Sequence, residues 1–165
     1  MEPIKRHNLI DISKKTKIAH TSIKNNLNNL IKEELIIEEI EKKGKRKYPI
    51  YRANFNNKFF RNMKILNNIL LIIESGLVDF LEDSLAPKSI ILFGSFRKGE
   101  DTEDSDIDLF IECDEENIDI KKYAIILKKD IQLHFKKNFD EYPKELKNNI
   151  VNGIVLSGYI EVYKW

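Results

Sequence analysis

The chain has 165 residues, 42% of them hydrophobic and 33% charged, the balance of a folded, water-exposed protein with enough apolar residues for one domain or two small ones. Its longest apolar run, Ile69 to Ile73, is far too short to span a bilayer. No charged and apolar leader opens the chain, so a cytoplasmic protein without a membrane partner is expected. Cys113 is the single cysteine, which excludes an internal disulfide and a cysteine-based zinc site. The net charge of +1 hides a division: residues 1–65 carry 16 Lys/Arg against 7 Asp/Glu, and the remainder 12 against 20. A basic segment suited to a polyanion thus precedes an acidic one suited to cations or to a basic partner, and two domains are expected.

In chain order, residues 9–15 read as a short helix and residues 16–19 as a turn. A second helix follows from about His20 to Glu34, with Ile23, Leu27, Leu30 and Ile31 spaced along one buried face. Its outward face holds His20, Thr21, Ser22, Lys24, Asn25 and Asn28, residue types that contact phosphates and base edges. Leu35 to Ile37 is an extended run, and Lys42-Lys43-Gly44-Lys45-Arg46-Lys47 is a turn carrying five cations in six residues. Tyr48 to Tyr51 returns as a strand, expected at a sheet edge because Pro49 has no amide to donate. Helix, turn, helix and a basic-tipped hairpin resemble a winged helix-turn-helix domain, assigned to residues 1–56, in which the helix that precedes the helix-turn-helix is abbreviated because only residues 1–8 are left to form it. That resemblance implies DNA as partner, contacted by the six outward residues of the second helix and by Lys43, Lys45, Arg46 and Lys47 at the wing.

Residues 57–85 form a helical connector in which Met63, Leu66, Leu70, Ile73, Leu77 and Phe80 alternate at spacings of three and four. Ile65, Ile69 and Ile72 widen this stripe, so cover is expected on both sides, from the flanking domains or from a second copy of the chain in a homodimer. Gly76 is the place for one helix to end and another to begin.

Residues 89–93, SIILF, have the length and character of a buried strand that ends at Gly94-Ser95. Glycine lets the backbone come close to a ligand, and Ser95 with the following amides binds an anion if a helix begins there. In Asp106-Ile107-Asp108-Leu109 the side chains alternate, placing both carboxylates on one strand face, where they can share a hard cation. An Asp-x-Asp alone is more often the wet face of an ordinary strand. The spacing changes that: LFGSFRKGEDTEDSDIDLFIE resembles the signature of the DNA polymerase β-like nucleotidyltransferases, and more closely that of their minimal archaeal and bacterial members.

The resemblance implies an α+β fold over residues 86–165, with a mixed sheet flanked by helices. It implies that Gly94 and Ser95 bind the β and γ phosphates of a nucleoside triphosphate, ATP by preference, with help from Lys98. Asp106 and Asp108 would hold Mg²⁺ while a hydroxyl attacks the α-phosphorus and pyrophosphate leaves. Relatives of the minimal type are antitoxins that adenylylate a HEPN-domain toxin, so a protein acceptor is implied. The fused winged helix fits a nucleic-acid acceptor or operon regulation better, and a DNA-binding regulator with a nucleotide-sensing or inactive second domain is the alternative. The family's third carboxylate lies on a later strand, here Lys129 to Phe135, after a helix from about Asn117 to Lys128. Asp130 completes the triad if it faces the pair; Gln132, the mid-strand residue and favoured occupant, leaves two carboxylates. His134 shares that face and reads as structural. A helix from Tyr142-Pro143 to Asn152, and strands or a hairpin over residues 154–156 and 159–162, complete the domain.

Overall fold

The structure is a computed structural model that describes residues 6–137 and 142–161. The chain divides into two compact units, residues 1–62 and 63–165.

In the first unit a short strand β1 (His7–Asn8) leads into helices α1 (Leu9–Thr16) and α2 (His20–Lys32), then strands β2 (Ile36–Lys43) and β3 (Arg46–Ala53). Asn8 caps α1, its side-chain oxygen accepting from the Asp11 amide, and Lys17 ends that helix in the left-handed region. Ile23 and Leu27 of α2 are buried with Ile12 and Tyr51, and Leu9, Ile31 and Ile36 pack against them. The six polar residues expected on the outer face of α2 are all exposed. The hairpin is longer than its composition indicated. Lys42, Lys43, Arg46 and Lys47 belong to the paired strands, and only Gly44 and Lys45 lie between them. A two-residue turn needs backbone at positive φ, which Gly44 supplies. Strand β3 also departs from the expected edge position, since it lies between β1 and β2. Its pairing with β1 stops at Ile50, so Pro49 has a neighbouring strand on one side only. Arg52 donates to Glu39 across the hairpin at 2.6 Å, and this bond, with Arg6 nearby, holds the Glu39 carboxyl below its usual range.

Helix α3 (Lys58–Glu74) runs across the division between the units, and Gly76, at φ 74°, separates it from α4 (Leu77–Leu85). The second unit continues through β4 (Ser89–Phe93), α5 (Gly94–Lys98), β5 (Ile107–Ile111), α6 (Lys121–Leu127), β6 (Ile131–Phe135), α7 (Lys144–Val151) and β7 (Ile154–Gly158). Its sheet has the order β6-β5-β4-β7, with β5 and β6 parallel and the other neighbours antiparallel. The expected run over residues 159–162 forms no strand among the described residues, and Val162 lies outside them.

This sheet is covered on both faces, which explains why residues 89–93 are apolar without alternation. Ile90, Leu92, Ile107, Leu109 and Ile111 pack against Ile72 of α3, against α4, and against Phe96 and Tyr123. Ile91, Phe93 and Phe110 pack on the other face against Tyr142 and Ile150. The heptad-like stripe of α3 lies away from this core. Met63, Leu66, Leu70 and Ile73 are 49–60% exposed, whereas Asn68 and Ile72 are buried and Ile69 packs against the core. Ile69 and Ile72, two of the residues that widened the stripe, therefore form the core face, because α4 and the sheet bury only one side of the helix. Among the described residues no helix is long and apolar enough to cross a membrane.

Candidate active site

Strand β4 delivers the chain to Gly94 beside Asp108, since Phe93, one residue earlier, is the register partner of Asp108 on the adjacent antiparallel strand. Gly94 has φ 72°, and a Cβ placed on it would run into the Asp108 carboxylate. Both facts require glycine: an L side chain is strained at this φ and would occupy the carboxylate's space. The chain then coils into α5, and Gly99 ends it at φ 66°. Ser95 and Arg97 are half-buried and Lys98 is exposed.

The return to β5 is held by its own polar residues. Ser105 Oγ accepts from the Thr102 amide at 2.8 Å, the Ser105 amide donates to Thr102 O at 3.3 Å, and Lys129 Nζ donates to Glu103 O at 2.9 Å. Along β5, Ile107, Leu109 and Ile111 enter one core and Phe110 the other. By the same alternation Asp108, with Asp106 two residues earlier, projects from the face that Phe93 and Phe110 share. Both carboxylates are only partly exposed.

The parallel pairing of β5 with β6 decides what stands beside them. Gln132 is the register partner of Asp108, and His134 that of Phe110. His134 Nε2 lies 3.4 Å from Asp108 Oδ1, and its ring meets Phe93 edge-on with centroids 5.1 Å apart. Asp130 precedes the strand; its carbonyl accepts from the Ile107 amide at 2.8 Å, and its exposed side chain lines, with Asp106, an open cavity of about 470 Å³. Lys128 and Lys129 line the same cavity. The neighbour of Asp108 at the strand centre is thus an amide, and Asp130 shares a cavity with Asp106 that Asp108 does not line.

Among the described residues no three His, Cys, Asp or Glu side chains converge closely enough to hold a metal ion. The donor set still fits a hard cation that arrives with a phosphate substrate, because Mg²⁺ commonly takes one or two carboxylates and completes its shell with phosphate oxygens and water. Asp106 and Asp108 are the residues able to supply those oxygens.

One group of polar residues escaped the sequence reading. On α3, Lys64 and Asn68 lie on the face that also buries Ile72, and both reach the turn after α5. The signal is an asparagine at core spacing, in the i, i+4 series Lys64, Asn68, Ile72.

The strand, glycine turn and paired aspartates coincide with a known pattern. The family profile described as nucleotidyltransferase domain matches residues 74–157, from the last residue of α3 into β7. The chain belongs to this family. Its members use a nucleoside triphosphate and a divalent metal. A Methanocaldococcus jannaschii protein bearing the name "Putative protein adenylyltransferase" is 47% identical over 55 residues, which make up 33% of this chain and 54% of that relative. The chain therefore spans about half the length of that relative. No solved structure matches it significantly.

Proposed function

We propose that the chain is a Mg²⁺-dependent nucleotidyltransferase that moves an adenylyl group from ATP to a hydroxyl acceptor, and that its N-terminal unit is a winged helix-turn-helix that binds DNA. The observation that carries the first part is the placement of Gly94 against Asp108, which sets a side-chain-free turn beside a pair of carboxylates. Gly94 and Ser95 bind the β and γ phosphates, with Lys98, exposed on the last turn of α5, screening their charge. Asp106 and Asp108 hold the cation, which supplies charge neutralisation on the leaving pyrophosphate and a lowered pKa for the attacking hydroxyl. In the transfer, a bond forms from the acceptor oxygen to the α-phosphorus, the bond from that phosphorus to the pyrophosphate oxygen breaks, and the hydroxyl proton is released to water.

The name of the archaeal relative supports adenylyl as the group and a protein as the acceptor, in keeping with an antitoxin-like action on a HEPN-domain toxin. A nucleic-acid acceptor is the competing choice, favoured by the exposed basic hairpin of the first unit. A second reading rests on Gln132. An amide where the family places its third carboxylate suits a domain that binds Mg-ATP as a signal and turns it over slowly, within a DNA-binding regulator. Self-association through Met63, Leu66, Leu70 and Ile73 belongs to either reading, because these residues are exposed at heptad spacing.

The test is to incubate the protein with each nucleoside triphosphate labelled on the α-phosphate, in cell extract, beside an Asp106→Ala/Asp108→Ala variant. Label is expected on one macromolecular acceptor from ATP and is lost in the variant. Calorimetric Mg-ATP binding without any label transfer would select the regulator, and no binding by the wild type would sink both readings.

A further inference from the structure

We propose that Asn68 and the Lys64–Asp101 ion pair are positioning residues that hold the turn from Gly94 to Asp101 in its nucleotide-receiving shape. The inference rests on the nucleotidyltransferase reading of that turn. Helix α5 has five residues, too few to stand alone, and its last carbonyls lack partners within the helix. Asn68 braces this segment from α3. Its Nδ2 donates to Phe96 O, inside α5, at 2.9 Å and to Asp101 Oδ1, beyond it, at 2.7 Å. One amide thus ties together the two ends of the segment that follows Ser95.

Lys64 secures the far end. Its Nζ donates to Asp101 O at 3.0 Å and pairs with the Asp101 carboxylate. Both side chains are 9% exposed, and Asn68 is 4% exposed. Burying such groups is a poor route to stability, since apolar residues of similar volume commonly pack as well or better. On α3, where Ile69 and Ile72 meet the core, an apolar residue such as leucine at position 68 would continue the core face. What leucine lacks is the ability to fix Phe96 O and Asp101 relative to each other. Two internal hydrogen bonds report on that shape: Glu100 N to Ser95 O at 3.1 Å and Gly99 N to Phe96 O at 3.4 Å.

The test combines hydrogen exchange over residues 93–101 with Mg-ATP affinity, in the full chain, for wild type, Asn68→Leu and Lys64→Arg. In Asn68→Leu, exchange of this segment is expected to speed up about tenfold and the Kd for Mg-ATP to rise about tenfold, with exchange elsewhere in the second unit near that of wild type. Lys64→Arg keeps the ion pair and stays close to wild type in all three. If Asn68→Leu does not fold, Lys64→Met/Asp101→Leu, which removes both buried charges together, is measured for the same two changes. Unchanged exchange in a folded variant overturns the positioning role whatever the affinity. Absence of Mg-ATP binding by wild type overturns instead the nucleotidyltransferase reading on which the role depends, so the two failures are told apart.

Discussion

Gly94 is the residue at which backbone and chemistry meet. Its φ of 72° and the Asp108 carboxylate at the position of a Cβ exclude any side chain. Gly94→Ala would cost about 1–2 kcal/mol for the left-handed backbone. It would also push the turn and Asp108 apart, and displacements of about 1 Å at a reacting centre lower rates by on the order of a hundredfold. The expected outcome is a folded protein whose label transfer falls at least that far, checked by melting temperature and transfer rate side by side. The closeness of Gly94 to Asp108 was legible because the spacing between the two apolar runs brings the end of one strand beside the start of the next. The neighbour of Asp108 was not. Asp130, Gln132 and His134 share one face by alternation, and only the pairing of Ile107 with Ile131 sets Gln132 beside Asp108. A shift of two residues would have kept the same hydrophobic face inward and brought Asp130 there.

At the scale of elements, α3 shows how a regular pattern identifies a helix without choosing its buried side. Its apolar residues cover more than one face, and Met63, Leu66, Leu70 and Ile73 give the cleaner heptad, yet Ile72 is the residue with no exposure. Ile72→Ala is therefore expected to destabilise the second unit by about 2–5 kcal/mol. Leu70→Ala, at a site 51% exposed, is expected to change it by less than about 0.5 kcal/mol when measured by urea denaturation at low protein concentration. Comparable losses for the two variants would show that both faces are covered. The hairpin teaches a related point. A cluster of lysines reads as loop from composition, but cross-strand pairing of Lys42 with Lys47 and Lys43 with Arg46 extends the ladder up to Gly44, where glycine permits the tight turn.

For the whole molecule, the division of charge between residues 1–65 and the rest places most cations on the unit with the exposed outer face of α2 and the basic hairpin. If that unit binds DNA, affinity should fall steeply with salt, since each phosphate neutralised releases counterions. Replacing Lys45, Arg46 and Lys47 with alanine is expected to reduce the slope of log affinity against log salt by up to about 3, as measured in a shift assay across salt concentrations. An unchanged slope would remove the hairpin from the interface. The basic and acidic segments, the helices and strands from α1 to β7 apart from the expected run over residues 159–162, and the aspartate pair behind its glycine turn follow from sequence, because each depends on residues near one another along the chain. Burial of Ile72 in preference to Leu70, the pairing of Gln132 with Asp108, and the reach of Lys64 and Asn68 to Asp101 do not. Those contacts join residues 24 or more positions apart, or depend on which face of a helix distant strands cover. Only the tertiary structure decides them, since alternation and helical periodicity say which residues share a face but carry no information about what that face will meet.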